Sequence, residues 1–167
     1  MTKQTVSAEL LFEAGAHFGH VAKRWNPKMG KYIWGKKNNT HIFDLEKTVA
    51  GLEKAEKALA ELSGASKRIV IVGSKRQARE IVKAEAEKAG IAFVTERWLG
   101  GTVTNWKQFK TRIDRLNDLK KKRDAGDLKK YTKKEQLLYD REITKLERFF
   151  GGVSKLSSSP EVMIVID

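Results

Sequence analysis

The sequence predicts an α/β fold, in which helices cover a parallel sheet and a helical hairpin is inserted into the chain. Apolar runs rich in β-branched residues, at 68–72 and 162–166, are typical of buried strands. The first run is followed by a helical pattern and a second strand-like segment, 91–94, which is the order of a βαβ unit. We expect one domain over residues 1–167, interrupted by the hairpin at about 105–150.

The N-terminal third contains shorter elements. Ser7 is a candidate cap for a short helix that Gly15 ends. Residues 32–34 and 41–43 are strand candidates on either side of a Lys-Lys-Asn-Asn turn. Asp44 then precedes leucine and valine residues at helical spacing, which predicts an amphipathic helix with Asp44 as its N-cap.

The turn at 73–76, Gly-Ser-Lys-Arg, follows a strand and opens a helix that Gly90 ends, the position at which α/β proteins bind phosphate. Lys75 and Arg76 would reinforce an anion site there. The turn has neither the spacing of a P-loop nor that of a dinucleotide-binding loop. An ordinary turn with solvated basic residues is the alternative, and contact with RNA phosphate is favoured over nucleotide binding.

Two apolar stripes predict the hairpin. The first steps by three and four residues through Trp106, Phe109, Ile113, Leu116 and Lys120. The second consists of Gln136, Tyr139, Ile143, Leu146 and Phe150. Thr132 and Glu135 form a capping-box pattern at the start of the second helix. Facing stripes joined by a short polar loop predict an antiparallel pair.

The charge balance indicates a polyanionic partner. The chain has 34 Lys and Arg against 21 Asp and Glu, a formal net charge of +13, and its pI is about 9.9. An anionic membrane is the competing partner, but the sequence contains no lipidation motif, signal-peptide pattern or apolar run of about 18 residues. Cysteine is absent, which excludes disulfides and thiolate zinc sites. We expect a cytoplasmic protein.

The segment 14–43 has no carboxylate and combines basic residues with Trp and Tyr. Phosphate contact together with stacking on bases or sugars requires this combination. A basic loop that lacks carboxylates by chance is the alternative. RNA is favoured over duplex DNA because no helix-turn-helix, zinc-finger or basic-zipper pattern is present.

Residues 97–106 place Arg97, Trp98 and a double glycine just before the first hairpin helix. They form either a tight turn capped by Asn105 or a loop that RNA approaches closely, and both interpretations can hold. We favour a structural role for Trp106 and a contact role for Arg97.

His17 and His20 form a histidine pair, but zinc needs three or four protein ligands and the surrounding stretch contains no Cys, Asp or Glu. A packed or RNA-facing histidine pair is favoured over a metal site. No nucleophile elbow or catalytic triad pattern is present either. We therefore expect no metal, no cofactor and no catalysis.

Several motifs together resemble one family. The segments AGAHFGH, WNPKM, YIWG, HIFDLEKTV, RWLGGTVTNW and VMIVID occur in the order and spacing of the bacterial small-subunit ribosomal protein S-two family. The resemblance implies a Rossmann-like or flavodoxin-like parallel-sheet α/β domain with a protruding antiparallel coiled-coil hairpin. It also implies a place on the small ribosomal subunit, with small-subunit ribosomal RNA, neighbouring ribosomal proteins and ribosomal protein S-one as partners.

By the same resemblance, the family's two motifs fall on His17, Gly19, His20, Trp25, Asn26, Pro27 and Lys28, and on Arg97, Trp98, Gly100, Gly101, Thr104 and Asn105. Charge and resemblance together give these candidate RNA-binding residues: His17, His20, Lys23, Arg24, Trp25, Asn26, Lys28, Lys31, Lys36, Lys37, Lys75, Arg76, Arg97, Asn105, Lys107 and Lys110. Family members continue beyond Asp167, so we expect the C-terminal part of the sheet to lie outside this sequence.

Two other functions remain open at this point. An α/β enzyme that binds a nucleotide or sugar phosphate at residues 73–75 would bind such ligands tightly and saturably without comparable RNA binding. The second is a purely protein-binding coiled-coil adaptor, which would be favoured if neutralising the hairpin lysines left all RNA contacts intact.

Overall fold

A computed structural model describes residues 6–166 of the chain. The chain divides into two compact units, an N-terminal unit up to Gly64 and a C-terminal unit from Ala65 onward. The expectation of a single domain stays a prediction. Within the described residues, no helix is both long and apolar enough to cross a membrane.

The N-terminal unit consists of two α-helices and a small antiparallel sheet. Its elements are α1 (Ala8–Glu13), β1 (Phe18–Val21), a 3₁₀ helix (Pro27–Tyr32), β2 (Ile33–Lys37), β3 (Thr40–Phe43) and α2 (Leu45–Gly64). The strand order is β1-β3-β2, and both pairings are antiparallel.

Local sequence signals account for most of these boundaries. The backbone N–H of Leu10 donates to Ser7 Oγ at 3.2 Å, which confirms Ser7 as the cap of α1. Asn38 and Asn39 join β2 to β3 with φ of 47° and 61°, a left-handed turn that asparagine tolerates better than most residues. The N–H of Lys47 donates to the Asp44 carboxylate at 3.4 Å, as expected of a helix N-cap.

β1 is a strand that local pattern does not predict, because Phe18–Val21 contains a glycine and a histidine and has no clear alternation. It forms by pairing with β3, and its register is irregular between Phe18 and Val21. Gly19 lies against this partner, where a Cβ would come 3.0 Å from the carbonyl oxygen of His41.

The C-terminal unit is a parallel α/β structure. Its elements are β4 (Ile69–Val72), α3 (Arg79–Ala89), β5 (Ala92–Val94), α4 (Trp106–Asp124), a 3₁₀ turn (Asp127–Lys130), α5 (Lys133–Phe150), a second 3₁₀ turn (Gly151–Val153) and β6 (Val162–Val165). The strand order is β5-β4-β6, with β4 parallel to both neighbours. The predicted α/β class and βαβ unit are confirmed.

One apolar core holds this unit together. The central strand contributes Val70, the long helices contribute Ile113 and Leu116, and the turn after α5 contributes Val153, all four fully buried. Gly152 lies so close to β5 that a Cβ there would come 2.7 Å from ring carbons of Phe93 and would also collide with the Phe93 carbonyl oxygen. Helix ends and sheet are therefore packed without spare volume at this point.

The two long helices of the predicted hairpin are present and touch each other. The rings of Phe109 and Phe150 are 5.0 Å apart, and Arg115 Nε donates to Glu142 at 3.1 Å. Lys120 pairs with Glu147. In an antiparallel pair, the partner's residue number falls as the residue number on the first helix rises. Here the partner changes from Glu142 for Arg115 to Glu147 for Lys120, so these ion pairs do not define an antiparallel register. The antiparallel coiled coil therefore stays a prediction.

Two details of the hairpin prediction can be compared directly. The capping box is confirmed, because Glu135 N–H donates to Thr132 Oγ1 at 3.4 Å and the Thr132 N–H donates back to the Glu135 carboxylate at 2.9 Å. The apolar stripe of α4 was wrong at its last position, since Leu119 is buried whereas Lys120 is partly exposed. Leu119 lies three positions after the buried Leu116, a spacing that places the two side chains on the same face of a helix.

Candidate nucleic-acid interface

Segment 14–43 of the N-terminal unit presents six cations to solvent. All six are exposed, and none forms an ion pair with a carboxylate anywhere in the described part of the chain. They are Lys23, Arg24, Lys28, Lys31, Lys36 and Lys37. Because segment 14–43 contains no carboxylate of its own, their charges are not neutralised locally and remain available to an outside polyanion.

Aromatic rings lie among these cations. Trp34 is 79% exposed, and the Lys31 ammonium lies 4.8 Å from the centre of the Tyr32 ring. Trp25 is 36% exposed, and its ring lies 4.7 Å from that of His41. The interleaving of cations and rings that the sequence predicts is therefore a surface property of this unit.

A cavity of about 330 Å³ opens beside Trp25. Rings from β3 and the loop before the 3₁₀ helix form much of its wall, with polar groups added by that loop. The residues that matter most for its chemistry are His20, Arg24, Trp25, Asn26, His41 and Phe43. Sequence reasoning missed His41 and Phe43, because nothing in a short strand pattern indicates that its side chains line a cavity.

Local hydrogen bonding shapes this loop. Asn26 begins the 3₁₀ helix, and its side-chain oxygen accepts from the N–H of Lys28 at 3.0 Å. Pro27, the next residue, has the fixed φ that suits the first position of a helix. Asn26 and Pro27 thus stabilise the start of the 3₁₀ helix, a structural role that is independent of any contact with RNA.

The two histidines of the predicted pair are in different surroundings. His17 stacks between Phe12 and Phe18 at ring distances of 4.3 and 4.1 Å, and its Nδ1 is buried with no hydrogen-bond partner among the described residues. His20 is exposed and lines the cavity. No group of three or more potential metal ligands occurs in the described chain.

In the C-terminal unit, the turn after β4 is contacted by side chains of the same unit. Arg79 Nε donates to the Ser74 carbonyl at 3.0 Å, and its guanidinium lies 3.6 Å from the Glu96 carboxylate. Arg148 also pairs with Glu96, at 2.6 Å. Arg76 is exposed, whereas Lys75 takes part in an interaction of its own. Glu96 is thus paired with both Arg79 and Arg148, so a phosphate at this turn would have to compete with a carboxylate for these arginines.

The sequence does not predict the contact between Glu96 and Arg79, because the two residues lie 17 positions apart and meet only in the folded protein. The nucleotide-binding or sugar-phosphate-binding enzyme gains no support from this geometry.

The loop before α4 is shaped mainly by packing. Thr102 is buried, and its hydroxyl donates to the Leu99 carbonyl at 2.6 Å. Trp98 and Trp106 pack against the core. Arg97 is exposed. Asn105 stands at the N-cap position of α4 but its side chain makes no capping hydrogen bond.

Some of the charges on the two long helices are paired within the protein. Besides the pairs with Glu142 and Glu147 described above, Lys122 pairs with Asp118 at 2.9 Å. Lys110 lies 3.2 Å from Asp114 and also donates to the Leu156 carbonyl, whereas Lys107 is exposed. Residues 107–148 contain fifteen cations and eight carboxylates, a net charge of +7. Eight of these cations are exposed and have no carboxylate partner in the described chain, so this segment also offers charge to a polyanionic partner.

The family model and the similar known proteins indicate the same family for this chain. The family described as Ribosomal protein S2 matches residues 11–167. Proteins named "Small ribosomal subunit protein uS2" from Roseiflexus sp. (strain RS-1) and Rhodospirillum rubrum are 44% and 43% identical over 99% and 100% of this chain. The protein of that name from Rhodopseudomonas palustris (strain BisA53) is 46% identical over 96% of it.

The aligned part of the chain spans 63%, 64% and 49% of the lengths of these three relatives. The match nevertheless includes the cations and rings of the N-terminal unit and both long helices. By this match over nearly all its residues, the chain belongs to the ribosomal protein S2 family.

Proposed function

We propose that the protein is a non-catalytic structural constituent of the small ribosomal subunit, located on cytoplasmic ribosomes, where it binds small-subunit ribosomal RNA in support of translation. Membership of the family and the names of its relatives support the ribosomal assignment. The observation that carries RNA binding is the set of exposed, unpaired cations in the N-terminal unit. Each such cation can replace a counterion at a phosphate, which makes association favourable and dependent on salt.

The remaining candidate residues have unequal support. Arg76, Arg97, Asn105 and Lys107 are exposed and could reach a neighbouring RNA strand. Lys110 is held by Asp114 and Leu156, so a phosphate would have to compete with its internal contacts. We rank it below the others.

We also propose that α4 and α5 form the antiparallel coiled-coil hairpin typical of the family. The contact between Phe109 and Phe150 at one end and the buried Ile143 support this arrangement. Its exposed apolar residues, Leu137 and Leu138, would be available to neighbouring ribosomal proteins such as ribosomal protein S-one. Distances between spin labels at residues 112 and 145 would decide the pairing, because antiparallel helices keep these positions within about 10–20 Å.

The test of RNA binding is a salt titration with small-subunit ribosomal RNA. Replacing Lys23, Arg24 and Lys28 together by alanine should lower the slope of log K against log salt by roughly two to three, since each phosphate contact contributes about 0.7–0.9. A folded variant with the wild-type slope would contradict this N-terminal interface.

A matched control removes the same charge elsewhere. Lys54, Lys57 and Lys83 are exposed lysines on α2 and α3, helices that also carry several carboxylates. Their combined replacement by alanine should change the slope by less than one. Equal effects of the two triple variants would mean that net charge alone, and not this surface, determines binding.

A further inference from the structure

We infer that the cavity beside Trp25 receives a single unpaired base of the RNA, while phosphates on either side of that base lie against the neighbouring cations. This inference rests on the RNA-binding function proposed above and specifies what the RNA inserts into the protein.

The size of the cavity suits a flat ring. Its volume, about 330 Å³, falls at the lower end of the 300–1,000 Å³ typical of small-ligand clefts. Trp25 and Phe43 place aromatic rings in its wall. Unpaired bases are recognised in this way, because every base has an apolar face that gains by stacking on an aromatic side chain.

The polar groups of the cavity are mainly hydrogen-bond donors. Arg24 carries only donors, and Asn26 uses its side-chain oxygen on the N–H of Lys28, so its remaining polar group is an NH₂ donor. None of the described residues that line the cavity carries a carboxylate. A base edge with several acceptors fits this lining best, as in uracil with its two carbonyl oxygens, whereas the exposed amino group of adenine finds few acceptors.

His41 provides a second, independent indication of a ligand. Both of its ring nitrogens are buried, and neither has a hydrogen-bond partner among the described residues. Buried polar groups in folded proteins are nearly always satisfied, and an unsatisfied pair costs stability. Because neither nitrogen is open to solvent, a base edge would supply the missing partners after the wall that His41 shares with Trp25 has moved apart.

Charge selects RNA over an apolar peptide as the occupant. Lys23, Lys28 and Lys31 are exposed in the same segment as Trp25 and have no carboxylate partner in the described chain. Phosphates flanking a base would neutralise them, whereas a hydrophobic peptide side chain in the cavity would leave them uncompensated.

The experiment measures binding of the whole chain to three fluorescent probes: a ten-nucleotide oligouridine, an oligoadenosine of the same length, and a ten-base-pair RNA duplex. Trp25→Ala should weaken oligouridine binding roughly 5- to 150-fold, the range for loss of one stacked base, and leave the salt slope unchanged. It should also abolish the preference for oligouridine over oligoadenosine. Duplex binding should not change, because a paired base cannot enter the cavity.

Trp34→Ala is the matched control, since Trp34 is an exposed tryptophan of the same unit that does not line the cavity. This variant should keep the preference for oligouridine. If Trp34→Ala removes the preference and Trp25→Ala keeps it, the base lies on the open surface and the inference is overturned.

The binding measurements distinguish failure of the base cavity from failure of the proposed RNA-binding function. Steep salt-dependent binding of all three probes with no effect of Trp25→Ala would overturn the base cavity and leave RNA binding intact. No salt-dependent binding to any of the probes or to ribosomal RNA would overturn both. If Trp25→Ala does not fold, photo-crosslinking of wild-type protein to 4-thiouridine RNA replaces it. Crosslinks at Trp25 or His41 support the cavity, and crosslinks only elsewhere overturn it.

Discussion

Replacing Gly152 by alanine introduces a single methyl group at the tightest contact of the C-terminal unit. The new Cβ would collide with the backbone carbonyl of Phe93 and come 2.7 Å from two carbons of its ring. Because a strand backbone cannot move aside as a flexible side chain does, we expect the upper end of the usual overpacking penalty, about 3 kcal/mol. For a chain of this size, that penalty lowers the Tm by about 6–12 °C.

Chemical and thermal unfolding followed by circular dichroism measure this effect. Gly100→Ala is the matched control, since a Cβ at Gly100 meets no atom within 4 Å. Both variants gain the same methyl group and lose the same backbone freedom in the unfolded chain, so their difference isolates the steric contact. If the free energies of unfolding of Gly152→Ala and Gly100→Ala differ by less than about 0.5 kcal/mol, the close packing of this turn on β5 is refuted.

Three further predictions concern the same unit. Ile113→Ala removes a fully buried side chain and should lower the free energy of unfolding by about 2–5 kcal/mol in urea titrations. Thr132→Ala removes the cap of α5 and should cost about 0.5–2 kcal/mol in the same assay. The backbone N–H of Arg68 lowers the pKa of Glu161, so this carboxylate stabilises the fold above its unfolded pKa, and the stability is lost as pH falls through its folded pKa. Unfolding at a series of pH values should therefore show Glu161→Gln less stable than wild type at neutral pH and equal to it in strong acid.

The first two of these predictions have control variants on the protein surface, and the third has a contradicting outcome. Leu137→Ala truncates an exposed leucine of α5 and should cost much less than Ile113→Ala. Thr144→Ala lies inside α5, where alanine is the better helix former, and should be neutral or stabilising. A stability difference between Glu161→Gln and wild type that stays constant down to strong acid would contradict the role given to the carboxylate.

Much of the architecture follows from local sequence. The capping box of Thr132 and Glu135 acts within one turn of helix, so its residues alone predict it. The apolar runs of β4 and β6 predict buried strands for a similar reason, because segments buried on both faces need no polar alternation. The composition of segment 14–43, with cations and rings but no carboxylate, likewise indicates the candidate interface from the sequence alone.

Which cations remain available to a partner was decided only by the tertiary structure. The sequence counts fifteen basic side chains between Lys107 and Arg148, yet Arg115, Lys120 and Arg148 meet carboxylates 27 to 52 positions away. An ion pair depends on two side chains lying within a few ångströms, and folding, not spacing in the chain, sets that distance.

The cavity beside Trp25 depends on folding in the same way, since its wall combines a loop with strand residues that follow it in the sequence by about sixteen positions. β1 also exists only through its pairing with β3. Helix caps, apolar runs and net charge are properties of short segments and were determined by the sequence itself. Cavities, long-range ion pairs and edge strands arise from contacts between distant segments, so only the tertiary structure decided them.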